Sequence, residues 1–331
     1  MKNRKIFVVG DYKTGTGPAN VTKEYIRCLK DRAICQKMSS KAFRLVELYI
    51  NVLRTDIIFC SGYSAQNVYA MKFAKKLGKK TVYLVHGAIE HENRINHAEN
   101  PKMTEVEMKT FELSDMLLAV SEKFCSWLKE KYPEYEKKIS YITNGIDERT
   151  VSSSVNTDMT KILSIGGGMP RKKIVNICEA IKHINEGIED KDRQLTLYVI
   201  GKEGADTETI NSYPFVKNLG LVSSSRKEEL FKECGIFIQN SCFETFGLAP
   251  VEALCAGMSV LCSSVCGVLD LFASADNHDI IADYEDVIEI ASKIEYIQDN
   301  PNRTKLLGDI DFKKMSWDAR TEQLLNKFEE L

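Results

Sequence analysis

The chain has 331 residues, 44% of them hydrophobic and 28% charged, with a formal net charge of −2. That is the composition of a folded globular protein, and a single core rarely grows past about 250–300 residues, so two domains are expected. No apolar run reaches the ~18–20 residues of a spanning helix, and the ten cysteines are scattered without paired CxxC spacing, which argues against a membrane span, a disulfide framework and a zinc site.

The start, Met1-Lys2-Asn3-Arg4-Lys5, is basic, but the apolar run that follows covers only residues 6–10. It is too short for a secretory signal and reads as a first buried strand, so a cytoplasmic protein is expected. Next comes Gly15-Thr-Gly17-Pro-Ala-Asn20, ahead of a helical pattern over residues 21–30. Two glycines there let a phosphate or substrate approach, but the third glycine of a dinucleotide fingerprint would fall at Asn20. Helical patterns over 41–53 and 65–77 alternate with strands at 56–60 and 81–86. His86 closes the latter strand, where a side chain is directed beyond the sheet. Glu90, His91, Glu92 and Arg94 read as part of a long loop. A strand at 116–120, a helix at 121–131 and a strand at 139–143 complete the first half.

Residues 144–160 read as the linker, with a turn signal at Asn144-Gly145 and a polar stretch after Val151. The expected domains are therefore 1–150 and 151–315, with a terminal helix, 316–331, packing back on the first. The second half places strands at 162–166, 195–201, 236–239 and 259–262, with helical patterns at 175–188 and 227–234. Continuous rather than alternating hydrophobicity marks strands buried on both faces of parallel sheets, and the strand–helix alternation marks βαβ units. The fold class is α/β, with two doubly wound domains. Ligands of such sheets sit beyond the carboxyl ends of the strands, here the loops after Gly10, His86, Gly166, Gly201 and Gln239.

Charge is distributed unevenly. Residues 1–80 carry 17 Lys+Arg against 5 Asp+Glu. A basic first half suggests an anionic neighbour such as a membrane surface. Nucleic acid is disfavoured, because the basic residues lack interleaved aromatics.

The densest chemical signal is Asn240-Ser-Cys-Phe-Glu244-Thr-Phe-Gly-Leu-Ala-Pro250-Val-Glu252-Ala-Leu-Cys-Ala-Gly257. It reads as a strand end, a loop, and a helix opened by Pro250 at its first position and closed by Gly257. Glu244 falls in the loop and Glu252 in the first helical turn. Backbone N–H groups of Thr245, Phe246, Gly247 and Leu248, with the helix dipole, suit a diphosphate. A carboxylate beside them suits sugar hydroxyls.

This segment resembles the E-x7-E region of retaining glycosyltransferases of family four, which have the GT-B fold of two Rossmann-like domains facing across a cleft. Ser140-Tyr-Ile-Thr-Asn-Gly-Ile-Asp147 resembles the family's I-x-N-G-I/V-D segment. Residues 162–172 resemble its S-V-G-R-x-x-x-x-K-G phosphate loop. Leu219-Gly-Leu-Val222 resembles its base-contacting loop, and Trp317 the start of its terminal crossover helix. The resemblance implies that Glu252 holds the donor ribose and Glu244 the transferred sugar. Lys172 would neutralise the donor phosphates, the loop of Thr245, Phe246, Gly247 and Leu248 would take the diphosphate, and Val222 would meet the base. It places Gly17 opposite the phosphates and His86 against the sugar. The family's usual arginine after the first loop glycine is here Gly167, which leaves Arg171 or Lys173 to supply that charge.

The implied activity is metal-independent, retaining transfer of a sugar from a nucleotide diphosphate, UDP first, to a glycan or lipid-linked acceptor at the inner face of the membrane, with no cofactor. The one Asp-x-Asp, Asp309-Ile-Asp311, lies in the terminal helical region rather than after a central strand. The alternatives are a GT-B nucleotide-sugar epimerase, a noncatalytic nucleotide-sugar-binding subunit and, from the incomplete glycine fingerprint, an NAD-linked oxidoreductase.

Overall fold

The computed structural model describes residues 4–38, 40–146, 151–152, 154–155 and 158–331. Residues 1–3, and 147–150, 153, 156 and 157 of the expected linker, lie outside them. The chain divides into two compact units. One comprises Met1–His91, Asn100–Asp147 and Phe312–Leu331, and the other Glu92–Glu99 and Glu148–Asp311.

The first unit is built on strands β1 (Ile6–Val9), β2 (Ala33–Cys35), β3 (Ile57–Ser61), β4 (Lys80–Val85), β5 (Met116–Ala119) and β6 (Ile139–Tyr141). They form one parallel sheet in the order β2-β1-β3-β4-β5-β6. β1, β3 and β5 are buried along their whole length, as continuous apolar runs require. Residues 33–35, where the sequence reading placed no element, pair with β1 as a half-buried edge. Half burial gives no long apolar run to read. The terminal helix Trp317–Glu329 starts on Ser316, whose hydroxyl accepts from Ala319 N–H. It packs on helix Gly17–Leu29, with the Tyr25 and Trp317 rings edge to face at 5.5 Å, and reaches β3, with Phe59 and Phe328 at 5.6 Å. Gly145 lies against this helix. A Cβ there would stand 2.4 Å from the Trp317 ring, so Gly145 serves close packing.

The second unit has β7 (Lys161–Ile165), β8 (Thr196–Ile200), β9 (Val216–Asn218), β10 (Ile236–Gln239), β11 (Ser259–Ser263) and β12 (Ile280–Ile281). They too are all parallel, in the order β12-β11-β10-β7-β8-β9. The short edges β9 and β12 carry no run long enough to stand out in the sequence. Helix Ile174–Glu186 buries Ile174, Ile177, Cys178, Ile181 and Ile184 at helical spacing. These side chains close over Leu197, Val199, Ile236 and Ile238 of the sheet. Chain order reverses between β7 and β10, so their carboxyl ends flank the switch point where doubly wound sheets bind ligands.

One segment departs from its sequence reading. Glu90, His91, Glu92 and Arg94 are helical, within Ile89–Ile95, rather than in a loop. The amides that open this helix, Ile89 and Glu90 N–H, donate to the buried Glu107 carboxylate at 2.8 and 3.2 Å. A long-range cap of this kind leaves no local signature.

Candidate active site

β7 and β10 deliver their following loops to the same place. After β7 the chain turns through Gly166, Gly167 and Gly168 and a short turn, Pro170–Lys172, which carries Arg171 and Lys172. After β10 it runs through Asn240 and Ser241 to Glu244. Lys172 Nζ lies 2.5 Å from Glu244 Oε2. Gln239 Nε2, at 3.1 Å, and the Ser241 hydroxyl, at 3.4 Å, donate to the same oxygen. The Arg171 guanidinium stands 3.6 Å from it and 3.4 Å from Glu92, and donates to the Phe243 carbonyl at 3.0 Å. Arg171 N–H donates to the Asn96 side chain at 3.2 Å. Burial alone would raise the Glu244 pKa, but the cations at Lys172 and Arg171 outweigh it and hold the carboxyl below the usual range. Burial lowers the Lys172 pKa despite Glu244 beside it.

The glycines explain how Lys172 reaches this position. A Cβ on Gly166 would meet Lys172 Cγ at 2.4 Å, and one on Gly167 would meet the Lys202 carbonyl oxygen at 2.0 Å. Gly167 also has φ +56°, so an arginine does not fit there. The N–H groups of Gly166 and Gly167 donate to Ile200 O, and that of Gly168 to Lys202 O. All three amides are satisfied, two by the last residue of β8 and one by the loop after it. Of the two candidates for the missing charge, Arg171 lies beside Glu244. Lys173 turns outward to Glu285 at 2.8 Å.

Beyond Glu244, Thr245 and Phe246 are buried, and Val268 N–H donates to Phe246 O at 2.7 Å, fixing the loop. Gly247 has φ 88° and precedes helix Leu248–Ala256. Pro250 is therefore the third helical residue, not the first. It still falls in the first turn, where an N–H has no intrahelical acceptor, and the N–H groups of Leu248 and Ala249 are left over for the same reason. Gly257 caps the far end with φ 116°. Glu252 is the fifth helical residue, beyond the first turn. Its exposed carboxylate pairs with Lys227 Nζ at 2.5 Å, on the adjacent helix Ser224–Glu233. Half-buried Val222 lies just before that helix, whose Ser223 hydroxyl accepts from Arg226 N–H.

His86 and Gly17 belong to the first unit. Gly17 opens helix Gly17–Leu29, and His86 follows β4. His86 Nε2 lies 3.1 Å from the Ser61 hydroxyl, itself 2.7 Å from the Thr22 hydroxyl on that helix. Gly62 (φ +77°) lets these parts converge, since a Cβ there would meet His86 Cδ2 at 3.2 Å. Burial pushes the His86 pKa down to about 4, so the imidazole is neutral at physiological pH. A cavity of about 450 Å³ lies where β1 and β3 end, lined by Gly10, Asp11, Tyr12, Arg44, Tyr63 and Ser64 among others.

Sequence reasoning missed Glu92, Asn96, Gln239, Ser241 and Lys227 as partners of this machinery. Ser241 lies inside the quoted motif and Gln239 just before it, so both were within reach, whereas the contacts of Glu92 and Asn96 with Arg171 carried no local signal. Among the described residues no group of three His, Cys, Asp or Glu side chains is placed to hold a metal ion. Asp309, from the Asp-x-Asp, accepts from the Ser274 amide and hydroxyl.

Two doubly wound parallel units in one chain, the second with a carboxylate between two cations at its switch point, define an α/β protein of the GT-B class. Comparison with known proteins agrees. Residues 10–150 match the family model for Glycosyltransferase Family 4 and residues 146–310 that for Glycosyl transferases group 1. The chain belongs to this glycosyltransferase family. It is 29% identical over 117 residues to the O-antigen chain mannosyltransferase B of Escherichia coli, a match covering 34% of this chain and 30% of that protein. It is 26% identical over 219 residues to the "Probable sucrose-phosphate synthase" of Thermosipho melanesiensis, covering 60% of this chain and 49% of that one. The matches thus span less than half the length of either relative. The structure of Anabaena HepE in complex with UDP-glucose superposes with a TM-score of 0.74 over 99% of this chain and 100% of that chain, at 14% identity, a likeness of fold.

Proposed function

We propose that the protein is a metal-independent, retaining glycosyltransferase that moves a hexose from a UDP-sugar to a glycan or lipid-linked acceptor in cell-surface polysaccharide or glycoconjugate synthesis, at the cytoplasmic face of the membrane. The observation that carries this is the convergence of Lys172 and Arg171 on Glu244 beside the amide-lined entry to helix Leu248–Ala256. The names of the relatives add support, a mannosyltransferase, a sucrose-phosphate synthase and a fold neighbour holding UDP-glucose.

In this reading the helix entry, from Thr245 to Leu248, takes the diphosphate, Lys172 and Arg171 stabilise the charge that develops on it as the glycosidic bond breaks, and Glu244 orients the sugar. The hydrogen bonds from Lys172, Gln239 and Ser241 and the ion pair with Arg171 all fall on Glu244 Oε2, which leaves Oε1 for a sugar hydroxyl. Glu252 exchanges its exposed ion pair with Lys227 for the ribose hydroxyls, and Val222 borders the base. Arg171 stands in for the arginine that Gly167 cannot accommodate. His86, neutral and a hydrogen-bonding group, contacts the sugar, with Gly17 near the phosphates. The acceptor hydroxyl attacks the anomeric carbon on the face the diphosphate leaves, and a departing phosphate oxygen takes its proton. No enzyme nucleophile or metal enters the sequence, and configuration is retained.

Incubation with UDP- and GDP-sugars and lipid-linked acceptors, followed by NMR of the products, tests the proposal. A new glycoside with the donor's anomeric configuration supports it. An epimerised donor formed without acceptor, or no turnover of any donor, contradicts it.

A further inference from the structure

Helix Lys41–Leu53 in the first unit carries its apolar residues on two faces. Leu48 and Val52 are buried. On the opposite side Phe43, Val46, Ile50 and Leu53, spaced three and four apart, are 63%, 56%, 40% and 58% exposed. A packed helix normally turns such a stripe inward and presents polar residues to water. Met38, Leu45 and Tyr69 are also exposed. Beside the stripe, Tyr49 and Phe73 meet edge to face at 4.9 Å and, with Tyr69, line a groove of about 580 Å³ rimmed by Lys72, Lys75 and Lys76.

The stretch of chain that carries this face is mostly positive, although Lys75 on the groove rim is paired with Asp115. Residues 37–80 hold nine Lys+Arg and two Asp+Glu. Both acids are taken up by backbone amides. Glu47 accepts from Lys37 and Met38 N–H at 2.9 and 3.1 Å, and Asp56 from Lys5 N–H at 2.8 Å. Arg54, Lys72, Lys76 and Lys80 are exposed. A 13-residue helix is about 20 Å long, too short to cross a bilayer and suited to lying in its surface.

We propose that this face docks the protein on an anionic lipid bilayer, with Phe43, Val46, Ile50 and Leu53 in the interface and Arg54, Lys72 and Lys76 against the headgroups. This deepens the proposed function by naming the surface through which the enzyme meets a lipid-linked acceptor, and it rests on that reading only for the acceptor's identity. Charge selects the occupant. A second copy joined through the same face would set two basic rims against each other, whereas anionic headgroups neutralise the rim and the acyl boundary accepts the stripe.

The test is co-sedimentation of the full chain with phosphatidylcholine vesicles with and without about 30 mol% phosphatidylglycerol, at low and high salt. The triple variant Phe43→Ser/Val46→Ser/Ile50→Ser and the double variant Lys72→Glu/Lys76→Glu run alongside. Thermal shift with UDP in each sample reports whether fold and donor site are intact. Binding to anionic vesicles only, weakened by salt and at least about tenfold weaker in both variants while the UDP shift is kept, bears the proposal out. Wild-type protein that ignores anionic vesicles at low salt, or variants that bind undiminished, overturn it. So does a wild-type dimer that the triple variant dissociates while vesicles go unbound, which would make the face self-associating. Retained sugar transfer to a soluble acceptor in any of these cases shows that the docking surface has failed and the transferase reading has not.

Discussion

Lys172 Nζ and Glu244 Oε2 stand 2.5 Å apart across 72 residues of sequence, joining the loop after β7 to the loop after β10. Both side chains are largely buried, so each charge depends on the other for its solvation.

That dependence makes removal of one partner doubly costly. Lys172→Ala leaves Glu244 buried with only Arg171, at 3.6 Å, as a cation. It is expected to destabilise the fold by about 3 kcal/mol and to lower kcat/KM by at least about a hundredfold, through lost stabilisation of the leaving diphosphate. Chemical denaturation and steady-state kinetics read the two effects separately. Unchanged kcat/KM would remove Lys172 from the mechanism.

Glu252 behaves differently, because its pair with Lys227 is exposed and surface pairs contribute little to stability. Glu252→Ala is expected to leave the urea midpoint nearly unchanged while raising the donor KM by about tenfold or more, as a charge-assisted contact to ribose is lost. Lys227→Ala should leave KM unchanged or lower it, by freeing the carboxylate. A donor KM unaffected by Glu252→Ala would exclude the ribose contact.

Gly167 is fixed by its surroundings. Gly167→Ala places a Cβ against the Lys202 carbonyl oxygen and forces φ +56° on an alanine, so a loss of about 2–4 kcal/mol is expected. Gly167→Arg, which reintroduces the family's usual residue, is expected to be at least as unstable and to give no gain in kcat/KM. Arg171→Ala, by contrast, should lower kcat/KM. A stable, more active Gly167→Arg variant would contradict the geometry of this loop.

His86 makes stability depend on pH. Its folded pKa of about 4 lies below its ordinary value of 6.5, so between these values the unfolded chain binds the extra proton. The contribution of the neutral imidazole is complete above pH 6.5 and is lost as the pH falls toward 4, by about 1–3 kcal/mol in all. Urea midpoints measured across this window should fall more steeply for wild type than for His86→Gln. Identical slopes would place His86 in a less buried setting.

Much of this was legible in the sequence. Strands β1, β3, β4, β5, β7, β8, β10 and β11 are runs of apolar residues, and burial on both faces of a sheet is what such runs record. The edge strands β2, β9 and β12 are two or three residues long and carried no comparable signal. In the site, Gly247 and Pro250 marked the helix entry and the loop that holds Glu244, whereas Lys172 was singled out by the resemblance of residues 162–172 to the family's phosphate loop. The contacts of Glu92 and Asn96 with Arg171 escaped notice because Arg171 lies more than seventy residues away and no local pattern encodes that distance. Glu244 and Glu252 stand eight residues apart in one motif, and the sequence carried no sign that their surroundings differ. The intervening helix turn leaves one buried and the other exposed.

The most direct measurement is a crystal structure with a UDP-sugar bound. The diphosphate should lie at the amides that open helix Leu248–Ala256, within reach of Lys172, with the ribose on Glu252 and the hexose on Glu244. UDP bound elsewhere, with the Lys172–Glu244 and Lys227–Glu252 pairs undisturbed and the helix entry empty, would contradict the account.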